Sequence, residues 1–196
     1  MIPNAYSAKI AQDTWKEETK KADLSTLRHW SYLSEAGDGV ITEEKGKRFL
    51  RLKEGAKIQS VNVAAYTDTL NLSGNFTITS PGGSGGFGFI DFSSGLYYYA
   101  YLDKSKGRFY LQRGDGDNAT VLAEAEAPST MSGPLQLTAD LKTKDRIRLS
   151  LLSGSQEILK AEEARPDKMG GTYQIYFGIS QDAAVDLFEL TAITSR

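Results

Sequence analysis

The chain has 196 residues, 40% hydrophobic and 24% charged, which suits one globular domain or two small ones and is enough to bury a sizeable core. Its 23 Lys and Arg against 25 Asp and Glu leave a net charge of -2, so nothing implies the basic face that nucleic acid or an anionic membrane requires. With no Cys and a single His, His29, disulfides, thiolate nucleophiles, cysteine zinc sites and multi-histidine metal sites are all excluded.

Residues 1–10 lack the continuous apolar core of a signal peptide, and no window approaches the roughly 18 apolar residues of a membrane helix. The chain is therefore expected either to be made in the cytoplasm or to be a mature domain that has lost a leader. Asp13 to Lys21 predicts a short helix or a charged surface loop. Asp13 is placed to cap it, Glu17 and Lys21 sit four apart, and Trp15 would be its anchor on the core.

From about residue 29 the apolar spacing is two, in short runs separated by Gly, Asp, Asn, Ser or Pro, which is the pattern of antiparallel sheet. The runs are Phe49 to Leu52, Ile58 to Val63, Phe76 to Ile78, Phe87 to Phe92, Leu96 to Leu102, Arg108 to Arg113 and Thr120 to Ala125. They continue through Leu135 to Leu141, Arg146 to Leu152, Glu157 to Ala161, Tyr173 to Ser180 and Val185 to Ile193. Hairpin turns are expected at Gly37 to Gly39, Asp103 to Gly107, Gly114 to Asn118, Ser153 to Ser155 and Gly170-Gly171, where Gly and Asx residues supply positive φ or capped turns. So many strands imply two stacked sheets in a single domain spanning 1–196, with no linker and no internal repeat.

Two strings match motifs only by letter. Gly83-Ser-Gly85-Gly-Phe-Gly88 reads as G-x-G-x-x-G but opens no helix to receive a pyrophosphate, and is expected to be a loop. Arg113-Gly-Asp115 falls where a strand enters a Gly/Asp turn. Asn71, Asn75 and Asn118 stand in Asn-x-Ser/Thr triplets but are read first as strand and turn residues.

Within Leu96 to Leu102, alternation places Leu96, Tyr98, Ala100 and Leu102 on the core face and Tyr97, Tyr99 and Tyr101 on the other. A hairpin partner carrying Arg108, Tyr110 and Gln112 would complete an aromatic, hydrogen-bonding platform able to stack on sugar rings. The same rings could equally be cross-strand pairs that stabilise the sheet without a ligand.

Five segments, taken in order, resemble the concanavalin A-like lectin/glucanase superfamily, in particular its laminin-G-like and bacterial sugar-module branches. They are Ile10 to Trp15 with Asp23 to Trp30, then Gly86 to Asp103, Gly107 to Gly116, Asp145 to Gln156, and Gly178 to Ser180 with Val185 to Leu190. The resemblance implies an all-β, concanavalin A-like jelly-roll sandwich of two antiparallel sheets with at most one or two short helices. It also implies saccharide binding on one sheet face or its edge loops, and a structural calcium ion held in part by Asp186 on the final strand.

Glycosidases of this fold carry their paired carboxylates as Glu-x-Asp-x-x-Glu on one strand, and no such segment occurs here. Glu124-Ala-Glu126 reads as the solvent face of a strand, and His29 beside Trp30 as a packed or surface histidine. The expectation is a noncatalytic carbohydrate-binding or adhesion domain, secreted or at the cell surface, with an oligosaccharide or polysaccharide partner and no nucleic acid. A cytoplasmic location stays open. The alternatives are a structural β-sandwich of a surface layer or particle, and a glycoside hydrolase or polysaccharide lyase with an unrecognised active site.

Overall fold

The computed structural model describes residues 7–15, 30–32, 39–53, 55–61, 63–65, 67–128 and 134–195. Among these, every regular element is a strand, and no helix is long and apolar enough to cross a membrane. In chain order the strands are β1 (Ser7–Asp13), β2 (Trp30–Tyr32), β3 (Gly39–Glu44), β4 (Lys47–Lys53), β5 (Lys57–Ser60), β6 (Ala64–Ala65), β7 (Thr69–Ile78) and β8 (Ser84–Asp91). Then follow β9 (Tyr97–Asp103), β10 (Arg108–Asp115), β11 (Asn118–Glu126), β12 (Leu135–Asp140), β13 (Arg146–Ser153), β14 (Gln156–Ala164), β15 (Thr172–Ile179) and β16 (Ala184–Ser195).

They form two antiparallel sheets. One runs β14-β13-β12-β7-β16-β4-β3 with β1 on β16; the other runs β11-β10-β9-β8-β15-β5-β2 with β6 on β15. Alternation along each strand sends one set of side chains between the sheets. Leu50, Leu52, Leu70, Leu72, Leu137, Leu149, Leu151 and Val185 come from the first sheet. Phe87, Phe89, Tyr98, Phe109, Leu111, Ile175 and Phe177 come from the second, all nearly or fully buried. Each such side chain contributes about 1.5–3 kcal/mol of burial. Phe76 meets Phe87 and Phe177 edge-on, at 6.4 and 5.2 Å between ring centroids. A bulge between Leu187 and Glu189 lets β16 keep Val185 and Leu187, then Leu190 and Ala192, facing the core.

The two sheets are also tied at their β10 and β14 side. Glu163 of β14 accepts a hydrogen bond from the buried Tyr98 hydroxyl at 2.5 Å and pairs with Arg113 at 2.7 Å. Trp15 is fully buried in the core. Asp13 is the last residue of β1; the rest of the expected helix or loop, residues 16–21, and His29 lie outside the described residues. The Gly83 to Gly88 string, expected as a loop, is strand from Ser84 onward.

Candidate functional site

On the second sheet, the face turned away from the core carries Tyr97, Tyr99 and Tyr101 of β9. Tyr110 stands directly opposite Tyr101, Gln112 opposite Tyr99, and Gly114 opposite Tyr97. A residue that the sequence reading missed, Tyr176 of β15, joins them. It alternates with the core residues Ile175 and Phe177, so the period-two pattern of its strand was the available signal.

The rings form one row. Tyr110 stacks on Tyr101 at 5.1 Å, Tyr101 on Tyr99 at 5.3 Å, and Tyr99 on Tyr176 at 5.2 Å, with interplanar angles of 16°, 21° and 17°; Tyr97 meets Tyr176 edge-on at 6.2 Å and 85°. Tyr99 reaches Tyr176 across an intervening strand because Gly88 lies between them in register. Gly88 has no alternative: a Cβ there would stand 1.9 Å from the Tyr98 carbonyl oxygen. The Tyr97 ring fills the space that a side chain on Gly114 would need.

Tyr99 is committed within the protein. It stacks on two rings, and its hydroxyl donates to the Gly178 carbonyl at 2.7 Å. Burial pushes the phenols of Tyr99, Tyr101 and Tyr176 up, neighbouring phenols add to this, and all three stay protonated at neutral pH.

Beside the row runs a groove of about 370 Å³ whose walls include Lys57, Tyr97, Tyr99, Gln112, Tyr176 and Ser180. Lys57 of β5 lays its stem over Gly178, its Cγ 3.4 Å from where a Cβ on Gly178 would stand. Lys57 carried no signal in the sequence, because the β5–β15 pairing that brings it here joins distant segments.

Tyr97, Tyr99 and Gln112 therefore come together at the groove as expected from alternation. Tyr101, Tyr110 and Arg108 continue the face toward β11 outside the groove walls. There Lys106 lies over the Tyr110 ring at 5.8 Å and Arg108 pairs with Glu124 at 3.0 Å. Glu124 and Glu126 are solvent-exposed on β11.

Asp186 lies on the outward face of the other sheet, directly across from Arg51 of β4. Arg51 grips both carboxylate oxygens, Nε to Oδ1 at 2.7 Å and Nη2 to Oδ2 at 3.0 Å. A bidentate guanidinium takes the lone pairs that a calcium ion would use and adds a positive charge beside them, so the donors at Asp186 do not fit calcium. Among the described residues no group of three His, Cys, Asp or Glu is placed to hold a metal.

No family model and no curated protein sequence matches the chain. Solved structures do match. The carbohydrate-binding module CBM66 from Bacillus subtilis is similar with a TM-score of 0.53 at 18% identity, covering 81% of this chain and 91% of that one. A glycoside hydrolase family 16 endo-glucanase from Bacteroides ovatus is similar at 0.64 and 9% identity, covering 93% and 99%. The VIP36 exoplasmic/lumenal domain, solved in a Ca2+/Man3GlcNAc-bound form, is similar at 0.54 and 10% identity, covering 86% and 84%. The fold is thus the concanavalin A-like jelly roll, which the chain shares with these three structures. In this chain it carries a tyrosine row and a groove on the outward face of one sheet.

Proposed function

We propose that the chain is a noncatalytic saccharide-binding domain, acting outside the cell or at its surface, that takes its ligand in the groove beside the tyrosine row. The observation that carries this reading is the groove's lining. It combines the rings of Tyr97 and Tyr176 with the side chains of Gln112 and Lys57, and among the described residues no carboxylate is in its walls. Aromatic surface plus a few placed polar groups is what a pyranose ring and its hydroxyls require. Glycoside hydrolysis needs two carboxyl groups about 5–9.5 Å apart across the scissile bond, and the described residues of these walls supply none. Carried over from VIP36, a calcium ion here would need donors other than Asp186, which Arg51 holds.

The test is a glycan array probed with the wild type, with Tyr97→Ala and with Gln112→Ala, each with calcium and with chelator. Tyr97 is chosen because Tyr99 is built into the sheet face, and its removal would confound binding with folding. Retention of a glycan that both variants lose, with or without chelator, is the expected result. An array with no hit under either condition would overturn the reading and shift weight to a structural role in an assembly.

A further inference from the structure

A second cavity, of about 510 Å³, lies where β7 begins, where β12 gives way to β13, and where β14 gives way to β15. Among the described residues it shares no lining residue with the tyrosine groove. Its charged walls are Lys142, Lys144 and Arg165 against Asp68 and Asp167.

The walls are held in place by hydrogen bonds. Arg165 donates through Nη1 to the Leu141 carbonyl at 3.0 Å and through Nη2 to the Tyr173 phenol oxygen at 3.1 Å, which fixes the plane of the guanidinium. The Arg165 amide bonds the Asp145 carbonyl at 2.8 Å, and the Leu141 amide bonds the Asp68 carbonyl at 2.7 Å. The rim at Gly170 and Gly171 is pinned because both amides donate to the buried Asp91 carboxylate, at 3.0 and 2.9 Å. Burial holds the Tyr173 phenol protonated against the pull of Arg165, so it keeps a hydroxyl proton to donate. Two of the five guanidinium N–H groups are used by these contacts, which leaves others for a ligand.

A fixed guanidinium with two lysines suits a carboxylate or sulfate. Two aspartates on the same walls suit hydroxyl donors and repel a small, densely charged anion. The volume falls in the range of small-molecule sites. An acidic sugar meets all of these conditions. We infer that this cavity is a second binding site, for an acidic sugar residue, a uronate or a sulfated pyranose, whose acid group faces Arg165, Lys142 and Lys144 and whose hydroxyls face Asp68 and Asp167. The inference does not depend on the tyrosine groove.

Isothermal titration calorimetry on the full chain tests it with trigalacturonate, the methyl ester of trigalacturonate, a chondroitin sulfate tetrasaccharide and inorganic phosphate, at low and high salt. The variants are Lys142→Ala with Lys144→Ala, both side chains being exposed, Arg165→Lys, and Tyr97→Ala as the control for the other groove. Expected are binding of an acidic oligosaccharide that weakens with salt, at least tenfold weaker binding of the ester where trigalacturonate is the ligand, and a tenfold loss in the double lysine variant. Tyr97→Ala should leave this binding unchanged even if it abolishes glycan capture on an array. Absence of binding by both acidic oligosaccharides would overturn the inference. So would equal binding of acid and ester, phosphate binding as well as the sugars, or a loss that follows Tyr97 and not the lysines.

Discussion

Asp91 offers the sharpest energetic test of how the loop end of the sandwich is built. Its side chain is fully buried, and its carboxylate accepts four hydrogen bonds. Oδ2 takes the Ser94 hydroxyl at 2.6 Å, the Ser94 amide at 3.1 Å and the Gly170 amide at 3.0 Å; Oδ1 takes the Gly171 amide at 2.9 Å. Burial alone would raise the pKa of this group, but the bonds from the Ser94 hydroxyl and the three amides outweigh it, and the net shift is downward from 3.8. In Asp91→Asn, the amide oxygen keeps the three donors on one side while its NH2 faces the Gly171 N–H. One backbone donor is then left unpaired at about 1–3 kcal/mol, and the other bonds lose charge assistance. Relief of the buried charge offsets part of this, so the expected destabilisation is about 2–3 kcal/mol, and about 4 kcal/mol for Asp91→Ala, where all three amides lose their acceptor.

The assay is urea unfolding of wild type and variant from neutral pH down to about pH 2.5. Because the folded pKa is depressed, the stability from ionised Asp91 is fully present above its ordinary value of 3.8 and is lost as pH falls through the lower folded value. The gap between wild type and Asp91→Asn should therefore be constant from neutral pH to about pH 5 and close below about pH 3.8. Acidic-sugar affinity should fall in the same variant, since Gly170 and Gly171 line that cavity. A gap under about 0.5 kcal/mol, or one that widens in acid, would refute the reasoning.

Tyr99→Phe should cost about 1 kcal/mol, the bond to Gly178, and keep the ring row. Tyr99→Ala should cost about 3–5 kcal/mol in chemical unfolding, because a ring stacked on two others is removed. Gly88→Ala should yield little folded protein by near-ultraviolet circular dichroism, since its Cβ would overlap the Tyr98 carbonyl oxygen. Added calcium or chelator should shift the melting temperature of the wild type and of Asp186→Asn equally, because Asp186 is bonded to Arg51; a calcium shift seen only in the wild type would restore Asp186 as a ligand. Glu163→Gln should destabilise by about 2 kcal/mol by weakening its bonds to Tyr98 and Arg113, and this cost should shrink in a Tyr98→Phe background in a double-mutant cycle.

Period-two alternation was enough to place most strands and the tyrosine face, because in a two-sheet sandwich the inward residues must be apolar while the outward ones are free. The failures have local physical causes. In β7 only the end, Phe76 to Ile78, stood out, because the core position in its middle is Gly74, kept small so that Phe87 of the facing sheet can fit: a Cβ on Gly74 would stand 2.8 Å from that ring. The start of β8 looked like a loop because of its glycines, yet Gly86 and Gly88 are demanded by the close approach of β9. Edge strand β3 ends in Glu43 and Glu44, which hid its pairing with β4. The outward face of Tyr176 was legible in its strand, but its place beside Tyr99, the place of Lys57 and the Arg51 grip on Asp186 depend on pairings between distant segments, which local pattern does not reveal.

These glycines also explain how the tyrosine face divides. At Gly88 the sheet has no outward side chain, so Tyr99 and Tyr176 close over the gap and stack on each other, and Tyr101 and Tyr110 extend the stack toward β11. Rings consumed by one another stabilise the sheet as cross-strand pairs do. The proposed ligand is left with what the stack does not use: Tyr97, which meets its neighbour only at an edge, the Gln112 amide opposite Tyr99, and Lys57 across the groove. The stacked rings carry the structural reading of the tyrosine cluster, and the proposed binding rests on different residues. The division also sets the experiment: variants of the stacked rings report on folding, and variants of Tyr97, Gln112 and Lys57 report on binding.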